Sequence, residues 1–242
     1  MISVVIPTYN RGEHLPQVTE KLIGYLKANY DEFEVIYVDD GSADQTQKVL
    51  KDLTMDYGQV TAIILASNAG QQNATLAGIR QAKYPQVLTM DDDLRYGLEG
   101  IHQLVDQLSQ GYDVVYGIPK EDKTKAVRTL GTWLKEGIFR RFCAKPKGLR
   151  LSSFRVMHGG VIDYIKEDQS KHVYISARTL QYTNQLCHVA VPCEDALVLP
   201  TTYTFRKLLL LLIHVFSQYS SIGRRLNLNH RGQQYCIKEV YS

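Results

Sequence analysis

The sequence predicts a single α/β domain with a mostly parallel central sheet flanked by helices on both faces. Short apolar runs alternate with amphipathic stretches at close intervals through the first half of the chain, and polar, turn-forming residues follow each run. Of the 242 residues, 44% are hydrophobic and 22% charged, a balance that supplies enough apolar surface for one sizeable core.

The first strand is expected over Val4 to Ile6, and Leu15, Val18, Leu22, Ile23 and Leu26 then recur at helical spacing. Further strands are expected at Val35 to Val38, Ala62 to Leu65 and Val87 to Met90, with Gly12, Gly41-Ser42 and Asn68 to Gly70 at the junctions and Asp44 placed to cap a helix. This β-α-β-α order requires crossover connections and hence a parallel sheet covered on both sides. Tyr112 to Gly117 reads as another strand, after which the alternation fades. Lys120 to Lys147 is basic and helical in pattern, with Trp133, Leu134, Ile138 and Phe142 on its apolar side. Ser152 to Val156 then leads to a helix near Gly160 to Lys166, and Leu186 to Val191 resembles a strand.

Composition narrows the function classes. A formal charge of +3 is too small to argue for nucleic acid. Cys143, Cys187, Cys193 and Cys236 have no C-x-x-C spacing, which predicts reduced thiols and a cytoplasmic setting rather than a zinc site or disulfide framework. Ile2 to Ile6 lacks the features of a secretory leader. No run approaches the roughly 20 apolar residues that cross a bilayer, the nearest being Leu208 to Val215.

In open parallel sheets ligands sit beyond the carboxyl ends of the strands, so four segments carry the expected chemistry: Pro7 to Arg11, Asp39 to Ser42, Asn68 to Gln72 and Asp91 to Arg95. In an extended segment Asp91 and Asp93 point to one side and Asp92 to the other. The first two can share one ion, and oxygen ligands of this kind suit Mg2+ or Mn2+ shared with substrate phosphates. Such an ion stabilises the charge that grows on a leaving diphosphate. Asp39 and Asp40 can accept hydrogen bonds from a base or ribose hydroxyl, and Gly41 permits a sharp turn. Tyr9 offers a ring to stack on a base, with Asn10 at its edge.

Taken together, Val4-Val-Ile-Pro-Thr-Tyr-Asn-Arg11, Val38-Asp-Asp-Gly-Ser42, Asn68-Ala-Gly-Gln71 and Met90-Asp-Asp-Asp-Leu94 resemble the family 2 glycosyltransferases. The likeness covers the first ~120 residues in order, so a chance match of the whole set is remote. It implies the GT-A fold, an inverting reaction and a nucleotide-sugar donor carrying UDP, GDP or dTDP. It also implies a nucleotide-binding set of Pro7, Tyr9, Asn10, Asp39, Asp40, Asp91 and Asp92, with the metal on Asp91 and Asp93 and Asp93 central to catalysis. A narrower likeness rests on Asn68 to Gly78, Asp113 to Gly117, Ser153 to Met157 and Tyr203 to Leu208, which resemble the polyprenyl-phosphate glycosyltransferases related to dolichol-phosphate mannose synthase. It implies transfer to a lipid phosphate at the cytoplasmic membrane face, with Ser153 and Arg155 binding the acceptor; Arg128, among the basic residues of the second half, could add positive charge for an anionic acceptor. Arg155 suits a phosphate because guanidinium is a planar, two-pronged donor.

The chain then divides into a nucleotide-sugar-binding half (1–120), an acceptor-side half (121–226) and a polar tail (227–242). Residues 203–220 form a candidate interfacial helix, flanked by Arg206-Lys207 and Arg224-Arg225, that suits peripheral contact with the inner face of the plasma membrane. Packing on the core or on a second subunit as a homo-oligomer is the other use of so apolar a helix. The chain departs from its likeness in several places: Arg95 stands where many relatives carry glutamine, Pro119-Lys120 where they carry an arginine, Leu199 to Tyr203 where they carry a basic stretch, and their C-terminal transmembrane helices have no counterpart. A phosphate acceptor needs no general base. A hydroxyl on a cell-envelope glycan does, and Asp195 or Glu194 would then serve. A non-catalytic sugar-nucleotide-binding protein is the remaining alternative.

Overall fold

The computed structural model describes residues 1–120, 145–171, 173–193 and 232–242. Its strands are β1 (Ile2–Thr8), β2 (Phe33–Asp39), β3 (Val60–Leu65), β4 (Gln86–Thr89), β5 (Val114–Pro119), β6 (Arg155–His158), β7 (Leu186–Val191) and β8 (Ile237–Tyr241). Its helices are α1 (Leu15–Asn29), α2 (Thr46–Asp56), α3 (Gln71–Gln81), α4 (Glu99–Leu108), α5 (Gly160–Lys166) and α6 (Ile175–Tyr182). The strands form one sheet in the order β7-β5-β6-β4-β1-β2-β3-β8.

Every position of β1 and β2 is buried, as expected where helices cover both faces of central parallel strands. Successive side chains enter opposite layers. Val5, Ile36 and Val38 join Leu76 and Ile79 of α3, Val161 of α5 and Leu180 of α6. Val4, Ile6 and Val35 join Leu15 and Leu22 of α1, Leu50 of α2 and Leu104 of α4. The close seating of α3 depends on Gly78, where a Cβ would lie 2.4 Å from Cγ1 of Val5.

The chain runs β1, β2, β3 outward in one direction, then returns to place β4 on the other side of β1, with all these pairs parallel. The crevice beyond the carboxyl ends of β1 and β4 is therefore the topological switch point, where such sheets bind ligands. Two strands reverse direction: β6 lies antiparallel between β4 and β5, and β8 pairs antiparallel with β3.

Residues 237–241 thus close a sheet edge, where the sequence suggested only a polar tail. The first four residues of β8 are exposed, so its hydrophobic pattern is weak. Contacts outside the strand anchor it: Arg80 donates to the Gln234 side chain and the Tyr235 hydroxyl, both at 2.8 Å, and Asn73 donates to the Gln234 carbonyl at 3.0 Å. Among the described residues no helix is long and apolar enough to cross a membrane. The expected basic helical stretch falls almost wholly, and the candidate interfacial helix entirely, outside them.

Candidate active site

At the switch point a cleft of ≈ 470 Å³ is lined by residues from four strand ends: Pro7 and Thr8 at the end of β1 with Tyr9 and Arg11 after it, Asp40 after β2, Gln71 at the start of α3, Asp91, Asp92, Asp93 and Arg95 after β4, and Ser153 before β6. Sheet register accounts for much of this. Thr89 pairs with Arg155 across antiparallel β4 and β6. Two residues further along each strand bring Asp91 opposite Ser153, whose Oγ donates to Oδ2 of Asp91 at 2.9 Å. Val5 pairs with Thr89 across parallel β1 and β4, and three residues further on Thr8 Oγ1 donates to Oδ2 of Asp92 at 2.6 Å.

The acid run is not extended as the sequence reading supposed. Asp92 and Asp93 form a turn, and Leu94 has φ 50. Asp92 lines the same cleft as Asp91 and Asp93. Asp91 leans toward α3 and β6, where Gln71 Nε2 also donates to its Oδ1 at 2.8 Å. Asp92 leans toward β1, with Arg11 Nε 3.8 Å from its Oδ1. Asp93 is gripped by Arg95, whose Nε and Nη2 donate to Oδ2 at 2.9 and 2.8 Å.

The acidic pair after β2 is divided between two tasks. Asp40 lines the cleft and accepts the backbone N–H groups of Ala69 and Gly70 at 2.6 and 3.0 Å. Asp39 is fully buried and accepts from the Ser42 hydroxyl and backbone N–H, so it holds the turn beneath the cleft. Asn10, at φ 55, accepts the Ala43 N–H at 2.9 Å and donates its own N–H to Ser42 Oγ at 2.8 Å, tying the first two loops together. Tyr9 stands 47% exposed at the cleft mouth, leaving a ring face available for stacking.

Arg155 is not among the residues that line the cleft. It is 2% exposed, it donates to Thr89 Oγ1 at 3.1 Å and Ser176 Oγ at 2.8 Å, and its guanidinium carbon lies 5.8 Å from the centroid of the Tyr116 ring. Its place in β6, opposite Thr89, turns it into the sheet's interior. Arg128, Glu194 and Asp195 lie outside the described residues. Thr8, Arg11 and Gln71 lie in segments the sequence marks as ligand-facing, but no individual role is assigned to them there; each sits at or just past a strand end or opens a helix, where ligand-facing residues gather.

Burial raises the Asp91 carboxyl above the usual carboxylate range; the Ser153 hydroxyl opposes the shift and the neighbouring charge of Asp93 adds to it. Burial also raises Asp92, against the pull of Thr8 and Arg11, and Asp40, against the pull of the Ala69 and Gly70 N–H groups. The cleft thus holds four carboxylates against two guanidiniums, and two negative charges are left over when all are ionised. An added cation would relieve these strained acids. All the acidic donors are oxygens, which fits Mg2+ or Mn2+. Among the described residues no group of three or more His, Cys, Asp or Glu side chains could hold an ion by itself, so substrate oxygens would have to complete the coordination.

The family model for glycosyl transferase family 2 matches residues 3–160. Among curated relatives, the undecaprenyl-phosphate 4-deoxy-4-formamido-L-arabinose transferase of Proteus mirabilis (strain HI4320) is 29% identical over 226 residues, covering 93% of this chain and 69% of its own length. The enzyme of the same name from Pseudomonas fluorescens (strain SBW25) is 39% identical over 128 residues, 52% of this chain and 38% of its own length. The chain therefore spans only part of these relatives. Among solved structures, glucosyl-3-phosphoglycerate synthase from Mycobacterium tuberculosis in complex with UDP superposes with a TM-score of 0.61 at 14% identity, over 90% of this chain and 79% of that one. The mannosyltransferase PcManGT from Pyrobaculum calidifontis, in complex with GDP-Man and Mn2+, gives 0.58 at 14% identity, over 96% and 66%. At such identities the likeness is one of fold, and that fold is GT-A.

Proposed function

The chain belongs to glycosyl transferase family 2, and on that premise we propose that it moves a sugar from a nucleotide-sugar donor to a polyprenyl phosphate, with inversion and with help from a divalent metal. The observation that carries this reading is the convergence of Tyr9, Asp40, Asp91 and Asp93 on one cleft at the switch point of the sheet. The names of the relatives, which transfer a sugar to undecaprenyl phosphate, support the acceptor.

In this reading Tyr9 stacks on the nucleotide base and Asp40, fixed by two backbone N–H groups, accepts from the ribose. Asp91 and Asp93 would hold Mg2+ or Mn2+ against the diphosphate, where the ion neutralises charge on the leaving group. Gln71 and Ser153 keep the Asp91 carboxylate aimed into the cleft. Ser153, on the β6 side, would donate to an acceptor phosphate after rotating away from Asp91. An acceptor phosphate oxygen attacks the anomeric carbon as the bond to the diphosphate breaks, releasing the nucleoside diphosphate and inverting the centre. No proton has to be removed from that oxygen, so no general base is required. Preorganised charge at the leaving group carries most of the acceleration.

The reading is tested by incubating the chain with labelled UDP-, GDP- and dTDP-sugars and undecaprenyl phosphate, with Mn2+ or with chelator. A labelled lipid phosphosugar that disappears with chelator is the expected product. Transfer only to glycan hydroxyls would overturn the acceptor, and transfer undiminished by chelator would overturn the metal.

A further inference from the structure

Arg95 and Asp93 form the most fully engaged ion pair of the cleft. Beyond the two guanidinium contacts to Oδ2, the backbone N–H of Arg95 donates to Oδ1 at 3.2 Å, so one residue occupies both oxygens of the acid. Asp91, by contrast, accepts only from the neutral donors Gln71 and Ser153 among the contacts shown. The side chains of Arg95 and Asp93 are 39% and 26% exposed. The guanidinium therefore sits at the lip of the cleft and can swing without disturbing the core.

Two cations compete for the charge of the same carboxylate. The grip of Arg95 uses Oδ2 twice and Oδ1 once, which leaves Asp93 a single free lone pair on Oδ1. An ion bridging Asp91 and Asp93 would have to bind there against the repulsion of the guanidinium, so it is held more weakly while Arg95 stays in place. Once displaced, the same planar fork would face the cleft, where a diphosphate presents the paired oxygens that a guanidinium binds best.

We infer that Arg95 is an internal counter-ion that occupies the metal-binding acid Asp93 until a diphosphate arrives, when it transfers to the phosphate and leaves Asp93 to the metal. This rests on the metal-bridging reading above. It makes metal and diphosphate bind cooperatively, each weakly alone and each strengthened by the other, and the coupling is reciprocal. A neutral side chain at this position would lose the competition and the phosphate contact together.

The test uses the full chain, Mn2+ alone, and preformed Mn2+–pyrophosphate as a probe independent of base and sugar. Free Mn2+ is followed by paramagnetic resonance and the complex by calorimetry, for wild type, Arg95→Gln and Arg95→Lys, with thermal melts to show that each is folded. Arg95→Gln should bind Mn2+ alone about tenfold more tightly than wild type and the pyrophosphate complex about tenfold more weakly, a reversal of sign within the usual size of such couplings. Arg95→Lys, which keeps the charge but not the fork, should fall between the two. Equal Mn2+ affinity in wild type and Arg95→Gln, or a change of the same sign for both probes, overturns the inference and leaves the metal reading standing. Absence of Mn2+ binding in every form, with and without pyrophosphate, overturns both.

Discussion

Gly41 follows Asp40 at the end of β2, with φ +73, and a Cβ built there would lie 2.7 Å from the carbonyl carbon of Ser67 and 2.8 Å from the nitrogen of Asn68. In Gly41→Ala the left-handed conformation alone costs about 1–2 kcal/mol for an L-residue. The overlap is with backbone, which cannot rotate aside as a side chain can, and overpacking of this kind adds about 1–3 kcal/mol. For a chain of this size each kcal/mol shifts Tm by about 2–4 °C, so a fall of roughly 4–20 °C is expected by calorimetry. The displaced segment carries Ala69 and Gly70, whose N–H groups hold Asp40, so binding of Mn2+–UDP or Mn2+–GDP should weaken as well. Gly148→Ala is the control: it sits in a turn closed by the Leu149 N–H on the Pro146 carbonyl, its φ is +85 and nothing lies within 4 Å of an added Cβ, so it carries only the conformational cost. If the two variants melt within a degree or two of each other, the contact with Ser67 and Asn68 does not constrain the turn and the argument fails.

Replacing Asp93 by Asn should lower metal-dependent transfer by about two orders of magnitude or more, as expected for loss of a group that stabilises developing charge, with an unchanged circular dichroism spectrum and melt; a wild-type rate would remove Asp93 from catalysis. Asp91 has its pKa raised by burial, so its contribution to stability is present at low pH and is lost as pH rises through the raised value. The ligand-free Asp91→Asn variant should therefore melt above wild type at pH 7, with the difference shrinking as the pH falls toward 4. A variant that melts lower at pH 7 would contradict that sign. Arg80→Met removes donors to the carbonyls of Lys166 and Asp168 at 3.0 and 2.6 Å as well as those to Gln234 and Tyr235; amide exchange at residues 237–241 should accelerate at least about tenfold while β1 and β2 keep their protection, and unchanged exchange in β8 would show that the latch is dispensable.

The strands that bury both faces were legible because they require uninterrupted apolar runs: Val4 to Ile6 and Val35 to Val38 read as strands for the same reason that they pack as β1 and β2. The loops after them were legible because a parallel sheet directs ligand chemistry to its carboxyl ends, and Tyr9, Asp40, Asp91 and Asp93 do meet there. What escaped the sequence depends on register and turn geometry. Period-two alternation assigned Asp92 to the far side, but the alternation ends with β4 and a turn follows. Arg155 resembled a phosphate ligand because nothing local announces that its partner strand places it opposite Thr89. Gln71 lies in a segment the sequence does mark, but its hydrogen bond to Asp91 depends on how α3 is seated, which Gly78 permits through its approach to Val5. The strand Ile237–Tyr241 carries too little burial to declare itself, being held by anchors before it rather than by its own face.

The pairing of β8 with β3 also sets an order of events during synthesis. Val60, Ala62, Ile63, Ile64 and Leu65 are all buried in the finished protein, yet the outer backbone edge of that strand has no partner until residues 237–241 have been made. At about 5–20 residues per second, a nascent chain carries this sticky edge for roughly ten to thirty seconds before residues 237–241 can cover it. While it is open such an edge can pair with another chain, and its covering by residues 237–241 removes that hazard from the finished protein.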